Sequence, residues 1–97
     1  EMKSLLIGES AREPIRRLVV DAIEASPPVT HLIHMRTQHI GPDELLVAAK
    51  VEFDAGLGNE ALTEAIDAVE SAIRQAVPIA DPIYIEPDFK DPAHPGD

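Results

Sequence analysis

Apolar residues recur along this chain at two different spacings, and these spacings predict two helices and three strands. Two segments have apolar side chains spaced as on one face of an amphipathic helix. In the first segment they are Ile15, Leu18, Val19, Ala22 and Ile23. In the second they are Leu62, Ile66, Val69 and Ile73, with Ala65 and Ala72 widening the stripe. Each stripe is predicted to pack against a sheet.

Local signals predict where the helices begin and end. Ser10 and Glu13 fit a capping box, in which each side chain accepts a hydrogen bond from a free backbone N–H. The proline pair that follows the first stripe requires this helix to stop by Ser26. Asn59 is predicted to cap the second helix, and Pro78 is predicted to end it.

Three further segments predict strands. The first covers residues 29–38, the second covers residues 45–53, and the third is centred on residues 83–85 and starts after Pro82. Gly41-Pro42-Asp43 has the composition of a turn and would join the first two strands into a hairpin. In the second strand every other residue from Leu45 to Phe53 is apolar, so this set is predicted to face the helices.

The predicted element order is αββαβ, which makes this an α+β domain. The hairpin strands are antiparallel, and a right-handed crossover through the second helix places the third strand parallel to the second. Two helices then cover one face of a three-stranded mixed sheet. The other face, with Leu46, Ala48 and Tyr84, has no cover within this chain and is a candidate dimer face.

Composition limits the classes of function. A chain of 97 residues forms one domain, and a formal net charge of −10 argues against binding to nucleic acid, whose phosphates require clustered Lys and Arg. The absence of Cys excludes disulfides and thiolate metal sites. No apolar run approaches the ~20 residues of a membrane span, so the chain as given is expected to be soluble.

Few residues suggest chemistry. The four serines lie outside any nucleophile elbow, and the glycines form no phosphate-binding loop, so no enzymatic activity is expected. On a regular strand, His31 and His34 would point to opposite faces, so any metal site must take its ligands from different elements or chains. Glu86 and Asp88 share a parity and could converge on one ion; the alternative is that they only solvate a strand end.

Four segments, taken in their order and spacing, resemble the C-terminal cytoplasmic domain of cation diffusion facilitator transporters. They are Leu5-Leu6-Ile7-Gly8-Glu9, Met35-Arg36-Thr37 with Gly41-Pro42, Val51-Glu52-Phe53-Asp54 and Ile83-Tyr84-Ile85-Glu86. The resemblance extends over residues 3–88. It implies a metallochaperone-like, ferredoxin-like αββαβ sandwich that follows the last transmembrane helix, lies on the cytoplasmic side of the cell membrane and forms a homodimer. It also implies, in some members, regulatory zinc or a related divalent ion near the dimer interface.

The resemblance divides the chain into three parts. Residues 1–9 are then a connector from a preceding transmembrane region, residues 10–86 a dimerisation domain and residues 87–97 a flexible tail. The expected partners are a second copy and the transmembrane domain of the same transporter. The alternative is a free-standing ferredoxin-like module that binds a metal or a small ligand, and the gene segment upstream of this chain would distinguish the two.

The resemblance also indicates where zinc would bind. Zinc-binding members of the family place a His on strand one just before the Arg-Thr pair, a His on strand two, and His-x-Asp at the end of strand three. The matching positions here are Ile33, one step from His34, then Lys50, and finally Glu86 and Asp88. An ammonium group repels a metal cation, so Lys50 is expected to substitute a charge for a ligand. We therefore predict a weak or absent divalent site formed by His34, Glu86 and Asp88.

Overall fold

The computed structural model describes residues 8–89. The five elements are α1 (Glu13–Glu24), β1 (Val29–Gly41), β2 (Glu44–Phe53), α2 (Asn59–Ala76) and β3 (Ala80–Phe89). The strands form one sheet in the order β1-β2-β3, with β1 and β2 antiparallel and β2 and β3 parallel. The predicted αββαβ order and mixed sheet are confirmed.

The hydrophobic core lies between the two helices and one face of the sheet. Alternate residues of β2 are buried from Leu45 to Phe53, as their apolar pattern predicted. They pack with buried side chains of both helices, which include Val19 and Ile23 on α1 and Val69 and Ile73 on α2. Since all of these residues are aliphatic except Phe53, close packing of branched side chains holds the layers together.

The stripe of α1 is rotated relative to the prediction. Leu18 was expected in the core, but it is 44% exposed, whereas Val20 is only 7% exposed. The buried residues of this helix are Val19, Val20 and Ile23. An apolar stripe fixes a helix face only to within about one residue, and the partner surface decides which edge of the stripe is covered.

The predicted capping box at the start of α1 is wrong. Ser10 lies outside the helix, and Arg12 occupies the N-cap position without a capping side-chain hydrogen bond. The free N–H of Ala11 instead donates to Oγ1 of Thr37 on β1, at 3.0 Å. A tertiary hydrogen bond to the sheet therefore anchors the chain just before the helix.

The ends of the second helix also differ from the prediction by a residue or two. Gly58, not Asn59, occupies its N-cap position, and the helix ends at Ala76. Of the predicted stripe, Ala65, Val69 and Ile73 are buried, and Leu62 and Ile66 are half-buried against the core, so the stripe marks the packed face. The helix of 18 residues is amphipathic, and no helix within residues 8–89 is long and apolar enough to cross a membrane.

All three strands are longer than predicted. β1 continues to Gly41, which leaves Pro42 and Asp43 as a two-residue turn. β3 includes Pro82 and continues past Glu86 to Phe89, because its last three residues pair with the end of β2. The predicted tail therefore starts too early, at residue 87, and its remainder, residues 90–97, lies outside the described residues.

The predicted connector, residues 1–9, is described only at its end. There the N–H of Gly8 donates to the carbonyl of His39, and the N–H of His39 donates to the carbonyl of Glu9 at 2.7 Å. Gly8 has a φ of +93°, in the region that favours glycine. The chain thus reaches α1 along the outer edge of β1.

Candidate functional site

The sheet face that points away from the helices carries most of the charged and aromatic residues of the sheet. The strand register places them in three rows, each running across β1, β2 and β3. The rows are Arg36–Ala48–Tyr84, His34–Lys50–Glu86 and His31–Glu52–Asp88. The open face consists of these nine residues and Leu46, which precedes Ala48 on the same face of β2. None of them belongs to the core between the sheet and the helices.

A β-bulge in β1 brings both histidines to the open face. Leu32 and His34 pair with successive residues of β2, which leaves Ile33 between them without a partner. An extra residue reverses the alternation of side chains beyond it. Leu32 is therefore half-buried on the core side, and both His31 and His34 are exposed opposite the polar residues of β2. The prediction that the two histidines face opposite ways is wrong.

The middle of the open face is a shallow depression of about 360 Å³. Its lining includes His34, Arg36, Ala48, Lys50, Tyr84 and Glu86. Ala48, on the middle strand, has a short side chain between its longer register partners Arg36 and Tyr84. Sequence patterning suggested apolar and ionisable residues on this face, but only the register shows which of them are adjacent.

The predicted dimer residues lie together on this surface. Ala48 and Tyr84 are register partners, and Leu46 follows in the next position of the same β2 face. Tyr84 is 59% exposed, while Leu46 and Ala48 are half-buried by their neighbours. An exposed tyrosine beside aliphatic side chains is typical of protein interfaces.

The ion pairs of the described chain all lie elsewhere. Within residues 8–89 they join Arg16 to Glu13 at 3.8 Å, Arg17 to Asp21 at 3.8 Å and Arg74 to Glu70 at 3.9 Å, each along one helix. Lys50 and Glu86 are register partners, yet no ion pair within this part of the chain includes either of them. Two other carboxylates of the open face accept hydrogen bonds within the chain: Glu52 accepts one from Oγ1 of Thr30 at 2.7 Å, and Asp88 accepts one from the N–H of Phe89 at 2.9 Å.

The three predicted metal ligands share a face but not a centre. His34 and Glu86 flank Lys50 from opposite strands, two strand spacings or about 10 Å apart. Lys50 lies between them in the same row, and its positive charge disfavours a bound cation there. Asp88 belongs to the next row, and no three His, Asp or Glu residues within the described part of the chain are placed to hold an ion.

The histidine nearest the connector is structural. His39 is 4% exposed, and its ring Nδ1 lies 3.4 Å from the carbonyl oxygen of Gly41. Its backbone holds the connector through two hydrogen bonds. A buried histidine with its polar atom next to a carbonyl fits a role in packing, and it is too enclosed to serve the open face.

Comparison with known proteins gives a match in structure only. No protein-family model and no curated protein sequence matches the chain. Among solved structures, a nickel form of a MamM CTD variant matches with a TM-score of 0.75 and 20% identity, covering 82% of this chain and 100% of that one. The chain has the fold of the MamM CTD.

Two other MamM CTD variants give the same result. A copper form matches with a TM-score of 0.73 and 19% identity, covering 80% of this chain and 96% of that one. A cadmium form matches with a TM-score of 0.74 and 20% identity, covering 81% and 98%. The likeness extends over nearly the whole MamM CTD, so the helices, sheet and open face belong to one shared architecture.

Proposed function

We propose that this chain is the C-terminal cytoplasmic domain of a divalent cation efflux transporter of the cation diffusion facilitator family, and that it dimerises through the open face. The observation that carries this proposal is the fold match, which spans 96–100% of the MamM CTD in the copper, cadmium and nickel forms. MamM CTD is the C-terminal domain of such a facilitator. The four sequence segments that resemble this family support the same function.

The regulatory role proposed here is to hold two transporter chains together on the cytoplasmic side. A domain of 97 residues has a small core and gains stability when it covers further apolar surface. Leu46, Ala48 and Tyr84 offer such surface on the open face. The domain would then act on transport through its assembly, and the transported ion would be selected in the membrane part.

Zinc binding by this domain is proposed to be weak or absent. MamM CTD variants have copper, nickel and cadmium forms, so this architecture can hold divalent ions in that protein. Two observations support weak or absent binding by this chain: no three His, Asp or Glu residues within residues 8–89 are placed to hold an ion, and Lys50 places a cation between His34 and Glu86. The donor set of a single chain therefore does not fit a tightly bound zinc ion.

The assembly is tested by measuring the mass of the domain in solution with light scattering, at tens of micromolar, with zinc and with a chelator. We expect a dimer in both conditions. Ala48→Arg inserts a charge into the depression and is expected to give monomers. Ala68→Arg, on an exposed position of α2, is the matched control and should leave the dimer intact. A monomeric wild type in both conditions would overturn the proposed dimer.

The zinc proposal is tested by calorimetric titration of the wild type and of Lys50→His. We expect weak or no binding to the wild type and a gain in the variant, because an imidazole replaces an ammonium beside Glu86. Tight, stoichiometric binding to the wild type that persists in Glu86→Gln and Asp88→Asn would contradict both the ligands and the role of Lys50.

A further inference from the structure

The two edges of the open face differ in charge, because the β1 edge carries the cation Arg36 and the β3 edge carries the carboxylates of Glu86 and Asp88. The β1 edge presents His31, His34 and Arg36, while the β3 edge presents Glu86 and Asp88, with Tyr84 in the row of Arg36. All six side chains belong to residues exposed to solvent. The charge of the open face therefore changes across the three strands, from Arg36 on β1 to Glu86 and Asp88 on β3. The chain as a whole has a net charge of −10.

A face with opposite edges is complementary to itself in one orientation. A two-fold axis that runs along β2 places β1 of one copy over β3 of the other and keeps each row in line. Arg36 then lies over Tyr84 of the second copy, where a guanidinium can stack on the ring. In the next two rows, His34 lies over Glu86 of the second copy and His31 over Asp88.

The other simple two-fold axis, across the strands, is disfavoured. It would lay β1 over β1 and β3 over β3, so that the carboxylates of Glu86 and Asp88 in one copy would face those of the other. Like charges placed opposite each other oppose association. The apolar residues Leu46 and Ala48 would allow either orientation of the two copies, and the charges at the edges favour the axis along β2.

The charges in the middle strand are compatible with this arrangement. On this axis Lys50 of one copy faces Lys50 of the other, and Glu52 faces Glu52 one row along. Within each copy Glu86 is the register neighbour of Lys50 on β3, and Glu52 follows Lys50 on the same β2 face. Each ammonium thus has carboxylates nearby, and the positive charges of the two copies do not face each other alone. The longest cation, Arg36, can also reach Glu86 of the second copy, which lies one row along.

We propose that a second copy of this chain docks on the open face with the two β2 strands running in the same direction, basic edge on acidic edge, and that Arg36 and Glu86 fix this orientation without a bridging metal. This inference rests on the proposed dimer. It adds the orientation of the partner and the pair of residues that determines it.

The test uses two charge reversals, separately and mixed. Arg36→Glu and Glu86→Arg each place like charges opposite each other in a homodimer, and each is expected to raise the dimer dissociation constant at least tenfold in a chelator. In an equimolar mixture, one variant supplies Glu at both positions and the other supplies Arg at both. Both contacts between positions 36 and 86 of the two variants are then attractive, so the heterodimer is expected to form with nearly wild-type affinity.

Arg12→Glu, an exposed arginine before α1, is the matched control and should leave the dissociation constant unchanged. Circular dichroism of each variant checks that it is folded before mixing. A wild-type dimer that neither reversal weakens, or two folded variants that stay monomeric when mixed, would overturn the proposed orientation while leaving the dimer itself in place. A wild type that is monomeric throughout would instead contradict the proposed dimer.

Discussion

The face that α1 presents to the sheet can be tested by truncating two apolar residues of this helix that lie in opposite environments. Ile23 is fully buried against the sheet and α2, whereas Leu18 is 44% exposed, although both belong to the apolar stripe of the sequence. The change to Ala removes apolar side-chain carbons at both positions. If the structure is correct, the two variants should differ clearly in stability.

The expected magnitudes follow from burial. Ile23→Ala leaves a cavity in a closed core and should lower the free energy of unfolding by about 2–5 kcal/mol. Leu18→Ala loses only part of the burial energy of a leucine and leaves no closed cavity, so a loss of about 1 kcal/mol is expected. The buried site should therefore cost at least twice as much as the exposed one.

Urea unfolding followed by circular dichroism measures the difference. The larger loss should shift the urea midpoint by about 1–3 M for a domain of this size. The protein concentration must be the same for all variants, because unfolding of a dimer depends on concentration. A Leu18→Ala variant that loses as much stability as Ile23→Ala would show that α1 presents a different face to the sheet.

Two further predictions concern the segment before α1. Thr37→Val removes the acceptor for the N–H of Ala11 and should lower the free energy of unfolding by about 1 kcal/mol. Ser10→Ala should change the free energy of unfolding by less than about 0.5 kcal/mol in the same urea assay. A larger loss in Ser10→Ala would show that Ser10 does cap the helix. Gly8→Ala should cost about 1–2 kcal/mol because its φ of +93° strains any residue with a Cβ, and an unchanged thermal midpoint would show that this backbone conformation is not maintained.

The sequence determined the elements and their order because each depends on local periodicity. The alternation from Leu45 to Phe53 belongs to a strand with one buried face, and it is fully buried as expected. The stripe from Ala65 to Ile73 likewise identified the packed face of α2. A hairpin turn at Gly41-Pro42-Asp43 and a crossover helix then left few ways to connect three strands, so the topology followed.

Tertiary structure decided the boundaries and the caps. Ser10 has the side chain and spacing of a cap, but the N–H of Ala11 next to it bonds to Thr37, which lies 26 positions further along, and the helix begins after Arg12. The end of β3 extends past Pro87 because β2 offers it paired residues, a gain that no local signal encodes. Such contacts join residues that are distant in the sequence, so the pattern of apolar and polar residues within a short segment cannot predict them.

The composition of the open face depended on one inserted residue. Strict alternation separates His31 from His34, and only the bulge at Ile33 brings both to one face together with Lys50 and Glu86. A bulge forms where two strands must match in length and twist, so it reflects the partner strand as much as its own sequence. The sequence alone therefore determined which charges this domain carries, and the pairing of the strands decided that basic and acidic ones would meet at opposite edges of one surface.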